Sequence, residues 1–377
     1  MRPRLSLRPD RQRRFRLQLV CVLAALLLAV SACVPAAPTP TDVGVVGSIP
    51  GFDKPWDIAF APDGTALITE RGGTLAAVVG GSRRLVAAVP GVVAAGEGGL
   101  MGLEVDPGFA TNRTIYMCLA HGTGSVVIDV RVVSAVVGAG YSGLTSLTPL
   151  LTGIDAGAGN RHLGCRLAIG PDAMLWVTTG DAARGSNPQD PDSLAGKVLR
   201  LTTGGDPAPG NPGGALDPYV YTLGHRNPQG LAFRPSDGAA FSVEHGPGCD
   251  DEINLLTAGA NYGWAPTGGT GGYGEAVPMT FAGGVPSVWS SGCPTIAPSG
   301  AAFVSGPQWG QWDGQLVVAV LKGSQLRFVR LDGYAVAGTD VRITDRGRLR
   351  AVEMGPDGAL WVAQDSTNGS ILRIAPD

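Results

Sequence analysis

The feature that most constrains this chain is a turn-and-strand unit that recurs six times. A turn of the Pro-Asp-Gly type leads into a short apolar strand as APDGTALIT from Ala61, DPGFATNRTIYM from Asp106 and GPDAMLWVTTGD from Gly170. It returns as RPSDGAAFSVEHG from Arg234, QWDGQLVVAVLKG from Gln311 and GPDGALWVAQD from Gly355. Each turn feeds a run of Val, Leu, Ile and Trp, residues that suit a pleated, buried surface. The spacing varies from about 43 to 77 residues, as when insertions collect on one face of an array. Six units predict an all-β chain folded as a six-bladed β-propeller, with about four strands per blade. A β-sandwich whose hairpins share Asp-Gly turns is the competing architecture. The 58 Gly and 29 Pro suit many tight turns, because Gly supplies positive φ and Pro pre-sets φ.

The first 32 residues read as a targeting segment. Seven Arg and one Asp fall within residues 1–16, Leu17–Val30 is apolar, and Ser31-Ala32 precedes Cys33. A charged start, a short apolar stretch and small residues define a signal peptide. Val30-Ser31-Ala32-Cys33 is similar to a bacterial lipobox, with Cys33 as the lipidated first residue of an exported protein. Acyl chains would then hold it at the outer face of the cell membrane. An ordinary signal peptide with an incidental Cys is the alternative. Residues 33–44 then form the lipidated Cys and a Pro/Ala/Thr tether, and 45–377 one propeller domain. Without residues 1–32 the net charge is near −9, which argues against a nucleic-acid partner. Cys118, Cys165, Cys249 and Cys293 remain, an even number that favours two disulfides outside the cytoplasm. Three pairings are open; the expected one is Cys118–Cys165 with Cys249–Cys293.

Polar residues concentrate in four apolar, Gly-rich surroundings. Asn160-Arg161-His162 is followed by Gly180-Asp181 at the end of the next strand, so one hairpin could join His162 to Asp181. A carboxylate on one imidazole nitrogen fixes the tautomer and raises the basicity of the other; a turn His with a capping Asp is the plainer alternative. Arg226-Asn227-Pro228-Gln229 makes a fork of donors for a planar, oxygen-rich anion. Glu244-His245-Gly246-Pro247 with Asp250-Asp251-Glu252 suits a hard cation such as Ca²⁺, or else is an acidic surface loop. Lys322 and the period-2 pair Arg348 and Arg350 could face one multiply anionic ligand, or could be edge charges that discourage aggregation. Gly269-x-Gly271-x-x-Gly274 matches a dinucleotide fingerprint by letter only, since no strand precedes it and no helix follows.

The run Tyr221–Gly230, His162, Gly246-Pro247 and Asp251-Glu252-Ile253-Asn254 together resemble the glucose/sorbosone dehydrogenase family. Its best-known members are soluble pyrroloquinoline quinone (PQQ) sugar dehydrogenases. Trp56–Phe60, Glu97–Leu103, Asn187–Asp190 and Ala319–Gly323 extend the likeness over nearly all of the chain after the signal segment. The resemblance implies PQQ and Ca²⁺ as cofactors, an aldose sugar as substrate and a separate electron acceptor. It implies His162 as general base, Asp181 as its orienter and Arg226 as a stabiliser of charge developing on the quinone. Asn227, Gln229, Thr295, Lys322, Arg348 and Arg350 would hold the cofactor. Gly246 and Pro247 would offer carbonyls to an active-site Ca²⁺, Glu252 and the Tyr262 carbonyl to a second one. Glu97 and Arg161 fall at the substrate side. Two other classes compete: a Ca²⁺-dependent propeller lactonase or hydrolase, and a non-catalytic binding lipoprotein. The expected assembly is a monomer or homodimer.

Overall fold

A computed structural model describes residues 41–266 and 273–377. The signal segment, Cys33, most of the tether and much of the Gly269–Gly274 loop lie outside the described residues. Among the described residues, strands form six four-stranded antiparallel sheets. The first strands of the blades are Pro55–Phe60, Leu100–Val105, Leu167–Ile169, Pro228–Phe233, Pro298–Phe303 and Leu349–Met354. Each packs against the next, and the last against the first, so they close a ring around a central channel. The expected six-bladed propeller is the fold observed.

All six repeated turns occupy the same place, the hairpin between the first and second strand of a blade. The Asp of the turn caps it locally: the carboxylates of Asp63, Asp172, Asp237 and Asp357 accept the backbone N–H two residues on. Second strands such as Leu175–Thr179 and Leu316–Val320 are buried along their whole length. A blade is covered on both faces by its neighbours, so apolar residues run continuously instead of alternating. The core is accordingly six apolar slabs, one at each interface between blades. Between blades 4 and 5, for example, Phe241, Val243 and Ile253 meet Phe303, Leu316 and Val318.

The ring is closed by the two ends of the chain. Val43–Phe52 pairs antiparallel with Gly369–Pro376 and becomes the outer strand of the sixth blade. Val43 and Gly44, assigned from sequence to the tether, are therefore part of the sheet. The disulfides are Cys118–Cys165, which joins blades 2 and 3, and Cys249–Cys293, which ties two loops of blade 4.

Candidate active site

Because the first strand of each blade runs away from one rim and the second returns to it, two kinds of segment meet there. They are the loops that precede first strands and the residues that follow second strands. Glu97, His162, Arg226 and Thr295 arrive by the first route, with Arg350 at the start of a first strand; Asp181, His245, Lys322 and Asp365 arrive by the second. The repeated Asp turns lie at the opposite rim. Glu97, Arg161, His162, Arg226, Asn227, His245, Gly246, Pro247 and Thr295 line one cavity of about 250 Å³.

His162 is its centre. The side chain is 3% exposed, and Nδ1 lies 2.9 Å from Asp181 Oδ1. Arg226 Nη2 and Arg161 Nη2 lie 3.1 and 3.3 Å from Nε2. A guanidinium only donates and a carboxylate only accepts. The contacts therefore select the tautomer with hydrogen on Nδ1 and an unprotonated Nε2, whose lone pair accepts from the guanidiniums. Asp181, fully buried, also accepts from Ala183 N, from Trp264 Nε1 at 2.7 Å and from the Tyr273 hydroxyl. His162 has φ of 53°, in the left-handed region, and its carbonyl packs against Gly180. A Cβ at Gly180 would lie 1.9 Å from that carbonyl oxygen, so only Gly fits beside Asp181.

Glu97 joins three segments of the wall. Its Oε2 accepts from His162 N at 3.0 Å and from Asn227 Nδ2 at 3.1 Å. Asn227 Oδ1 in turn accepts Gly164 N. Arg226 is held by its backbone N–H to Glu244 Oε2, by Nη1 to the His245 carbonyl, and by its guanidinium over the Trp264 ring at 5.7 Å. Burial and the charges of Arg226 and Arg350 push the His245 imidazole down to about 3, so it is neutral at pH 7. Asp251 accepts from Gly246 N, Thr295 Oγ1 and Ile296 N, which fixes two loops of the wall together.

The remaining predicted cofactor ligands divide. Gln229 Oε1 accepts from Arg350 Nη1 and Ser299 Oγ beneath the cavity. Arg350 and Arg348 both reach Asp365, at 2.9 and 3.1 Å, so they do converge on one spot. Burial raises the Asp365 carboxyl, but the two guanidiniums outweigh it and hold it below its ordinary range. Arg350 is buried, whereas Arg348 and Lys322 are exposed on the same rim. Below this layer Arg166 stacks on Trp56 and bonds Asp57 and the Gln229 carbonyl. It separates the site from a second cavity of about 240 Å³, lined by Asp57, Glu104 and Glu353. Burial pushes the carboxyls of Glu104 and Glu353 up to about 7 and about 8.

No cluster of three or more His, Cys, Asp or Glu side chains converges as a metal site among the described residues. A cation at the predicted positions would depend on carbonyls. Gly246 and Pro247 both line the cavity, and neither carbonyl accepts a hydrogen bond among the described residues. Glu252 is buried near Glu244, and burial followed by that like charge pushes it up to about 9. Asn254 donates to both carboxylates, while its own buried Oδ1 has no partner among the described residues. Tyr262 stacks on His225 nearby, with ring centroids 4.8 Å apart.

Tyr273 and Glu275 were not foreseen. The Tyr273 hydroxyl reaches Asp181 and lies 3.3 Å from His162 Nδ1; Glu275 Oε1 lies 2.7 Å from Arg226 Nη2. They sit in a Gly-rich stretch with no periodicity, whose placement over the cavity depends on the whole of blade 4. The only local signal was an aromatic and an acid in an otherwise small-residue segment.

Fold and site together define a propeller with an imidazole–carboxylate pair inside a guanidinium-lined pocket on one rim. A family model for glucose/sorbosone dehydrogenases matches residues 52–373, and the chain belongs to that family. It is 32% identical to the aldose sugar dehydrogenase YliI of Escherichia coli K12, over 97% of this chain and 99% of that one. The PQQ-bound aldose sugar dehydrogenase of Streptomyces coelicolor superposes with a TM-score of 0.77 at 31% identity, covering 91% of this chain and 100% of that one. The soluble aldose sugar dehydrogenase of Escherichia coli, in apo form, superposes with a TM-score of 0.80 at 32% identity, covering 89% and 99%.

Proposed function

We propose that this protein oxidises the anomeric hydroxyl of an aldose to a lactone, with PQQ as hydride acceptor and His162 as general base. The observation that carries the reading is His162 Nε2, which the Nδ1 contact to Asp181 leaves unprotonated and basic at a cavity wall, beside Arg226. PQQ, when bound, supplies the two-electron acceptor. Its chemistry fits the donor set: it is a planar anion with carboxylates and carbonyls, and the wall offers guanidiniums, amides and a hydroxyl. Arg350 Nε and His245 Nε2 are buried without partners among the described residues, so the site has unspent polar capacity. Arg226, Asn227, Gln229, Thr295, Lys322, Arg348 and Arg350 would hold the group. The Gly246 and Pro247 carbonyls would hold an associated Ca²⁺, and Glu252 with the Tyr262 carbonyl a second.

The chain's own work is then to position and to move a proton. His162 Nε2 takes the proton of the anomeric hydroxyl as the C–H hydride leaves. Asp181 stabilises the imidazolium that forms. Arg226 presents positive charge where negative charge develops. The proton passes on to solvent, and a separate electron acceptor takes the two electrons. We further propose that the protein is exported and anchored through Cys33, as the residues before it indicate. Metabolic labelling with a fatty acid should mark the wild type and spare Cys33→Ala.

The test is to add PQQ and Ca²⁺ to the purified chain lacking residues 1–32 and to measure aldose-dependent dye reduction. Turnover is expected, and His162→Ala should bind PQQ yet lose it. Absence of both PQQ binding and turnover in the wild type would overturn the proposal.

A further inference from the structure

The Glu275 carboxylate stands beside three residues of the cavity wall, Arg161, His162 and Arg226, with its side chain 23% exposed. Its Oε1 accepts from Arg226 Nη2 at 2.7 Å and from Arg226 Nε at 3.3 Å. The same oxygen lies 3.8 Å from Arg161 Nη2 and 3.8 Å from His162 Nε2. It thus sits between two guanidiniums and beside the nitrogen that takes the substrate's proton. A hydroxyl bonded to Nε2 at about 2.8 Å falls within reach of this carboxylate. Among the described residues no other acid near His162 Nε2 is placed to do the same. Glu97 is committed to His162 N and Asn227, and Asp181 to four donors.

We propose that Glu275 is a specificity-determining residue, which offsets part of the positive charge of the Arg161–Arg226 pair and biases the site toward neutral, hydroxyl-rich sugars and against sugar acids. The inference rests on the function proposed above and names the charge class of its substrate. A neutral sugar can donate a hydroxyl hydrogen to Glu275. A sugar acid would have to displace a carboxylate that is tethered in place at high effective concentration, and it meets like charge at contact distance. Gln at this position keeps the shape and removes the charge, which frees both guanidiniums for a carboxylate.

The experiment compares wild type, Glu275→Gln and Glu275→Asp. kcat/KM is measured for D-glucose and D-glucuronate with PQQ and Ca²⁺ bound, and D-glucuronate affinity of the cofactor-free protein is measured by calorimetry. In Glu275→Gln the glucuronate-to-glucose ratio should rise at least about tenfold, equivalent to about 1.4 kcal/mol. Glucuronate affinity should rise in parallel, and Glu275→Asp should stay near the wild-type ratio. A Gln variant within twofold of wild type on both measures overturns the inference. So does an Asp variant that gains as much as the Gln variant, since packing would then be the cause. If wild type oxidises glucose and the Gln variant shows no gain, the inference alone falls. If wild type oxidises no aldose and binds no PQQ while the Gln variant binds glucuronate more tightly, the proposed function falls and the charge-screening role stands.

Discussion

Replacing Asp181 with Asn changes one oxygen at the meeting point of four hydrogen bonds. Oδ1 accepts from His162 Nδ1 and Ala183 N, and Oδ2 from Trp264 Nε1 and the Tyr273 hydroxyl. The amide nitrogen of Asn can face either pair. Facing the first, it strands the Ala183 N–H and forces His162 to accept at Nδ1. The hydrogen then moves to Nε2, against the donors of Arg226 and Arg161. Facing the second, it strands the Trp264 N–H, and Tyr273 must turn to accept. Either way one buried donor loses its partner, which costs about 1–3 kcal/mol of stability. In both cases the negative charge that stabilises the imidazolium is gone. Losing an oriented general base lowers kcat by roughly 10²–10⁴, about 3–5 kcal/mol of barrier. The assay is dye reduction at saturating PQQ and Ca²⁺, with PQQ affinity measured separately. A kcat within fivefold of wild type at full PQQ occupancy would refute the role given to Asp181.

Three further outcomes follow from the same structure. Replacing both Cys118 and Cys165 by Ala should lower the unfolding free energy by about 4 kcal/mol in urea titrations, since the bond closes a loop of 47 residues. The contribution of Glu104 and Glu353 to stability should fall as pH rises from about 5 to 9. Glu104 and Glu353 have folded values raised to about 7 and about 8, so their contribution is full below the unfolded value near 4.5 and is lost as pH passes through the folded ones. Glu104→Gln with Glu353→Gln should flatten that slope in thermal melts; an unchanged slope would exclude these carboxyls as its source. Deleting residues 1–52 should abolish cooperative unfolding, because Gly369–Pro376 loses its antiparallel partner and the ring opens.

Much of the fold is legible in the chain because a propeller blade is a local object. Each repeated Asp turn closes a hairpin between neighbours in sequence, and its cap spans only two residues, as in Asp172 to Met174. Counting those turns was enough to count blades. The His162–Asp181 pair was legible for the same reason: one hairpin, 19 residues apart, brings the two together. The Arg348 and Arg350 pair shows the limit of that logic. Period-2 spacing put both on one face and both reach Asp365, yet Arg350 is buried and Arg348 exposed. Depth along the channel depends on neighbouring blades, which spacing within one strand cannot report.

By itself, then, the sequence determined the blade count and the polar clusters placed at strand ends, together with the imidazole–carboxylate pair. These follow from turn chemistry and strand periodicity, which act over a few residues. Only the tertiary structure decided what joins across the channel. Glu97 meets Asn227 over 130 residues, Arg350 meets Gln229 over 121, and Glu275 reaches Arg226 from a segment without periodicity. Val43–Phe52 was likewise spoken for only by the far end of the chain. Those contacts form once six blades have packed into a closed ring, because ring closure sets which loops share a rim.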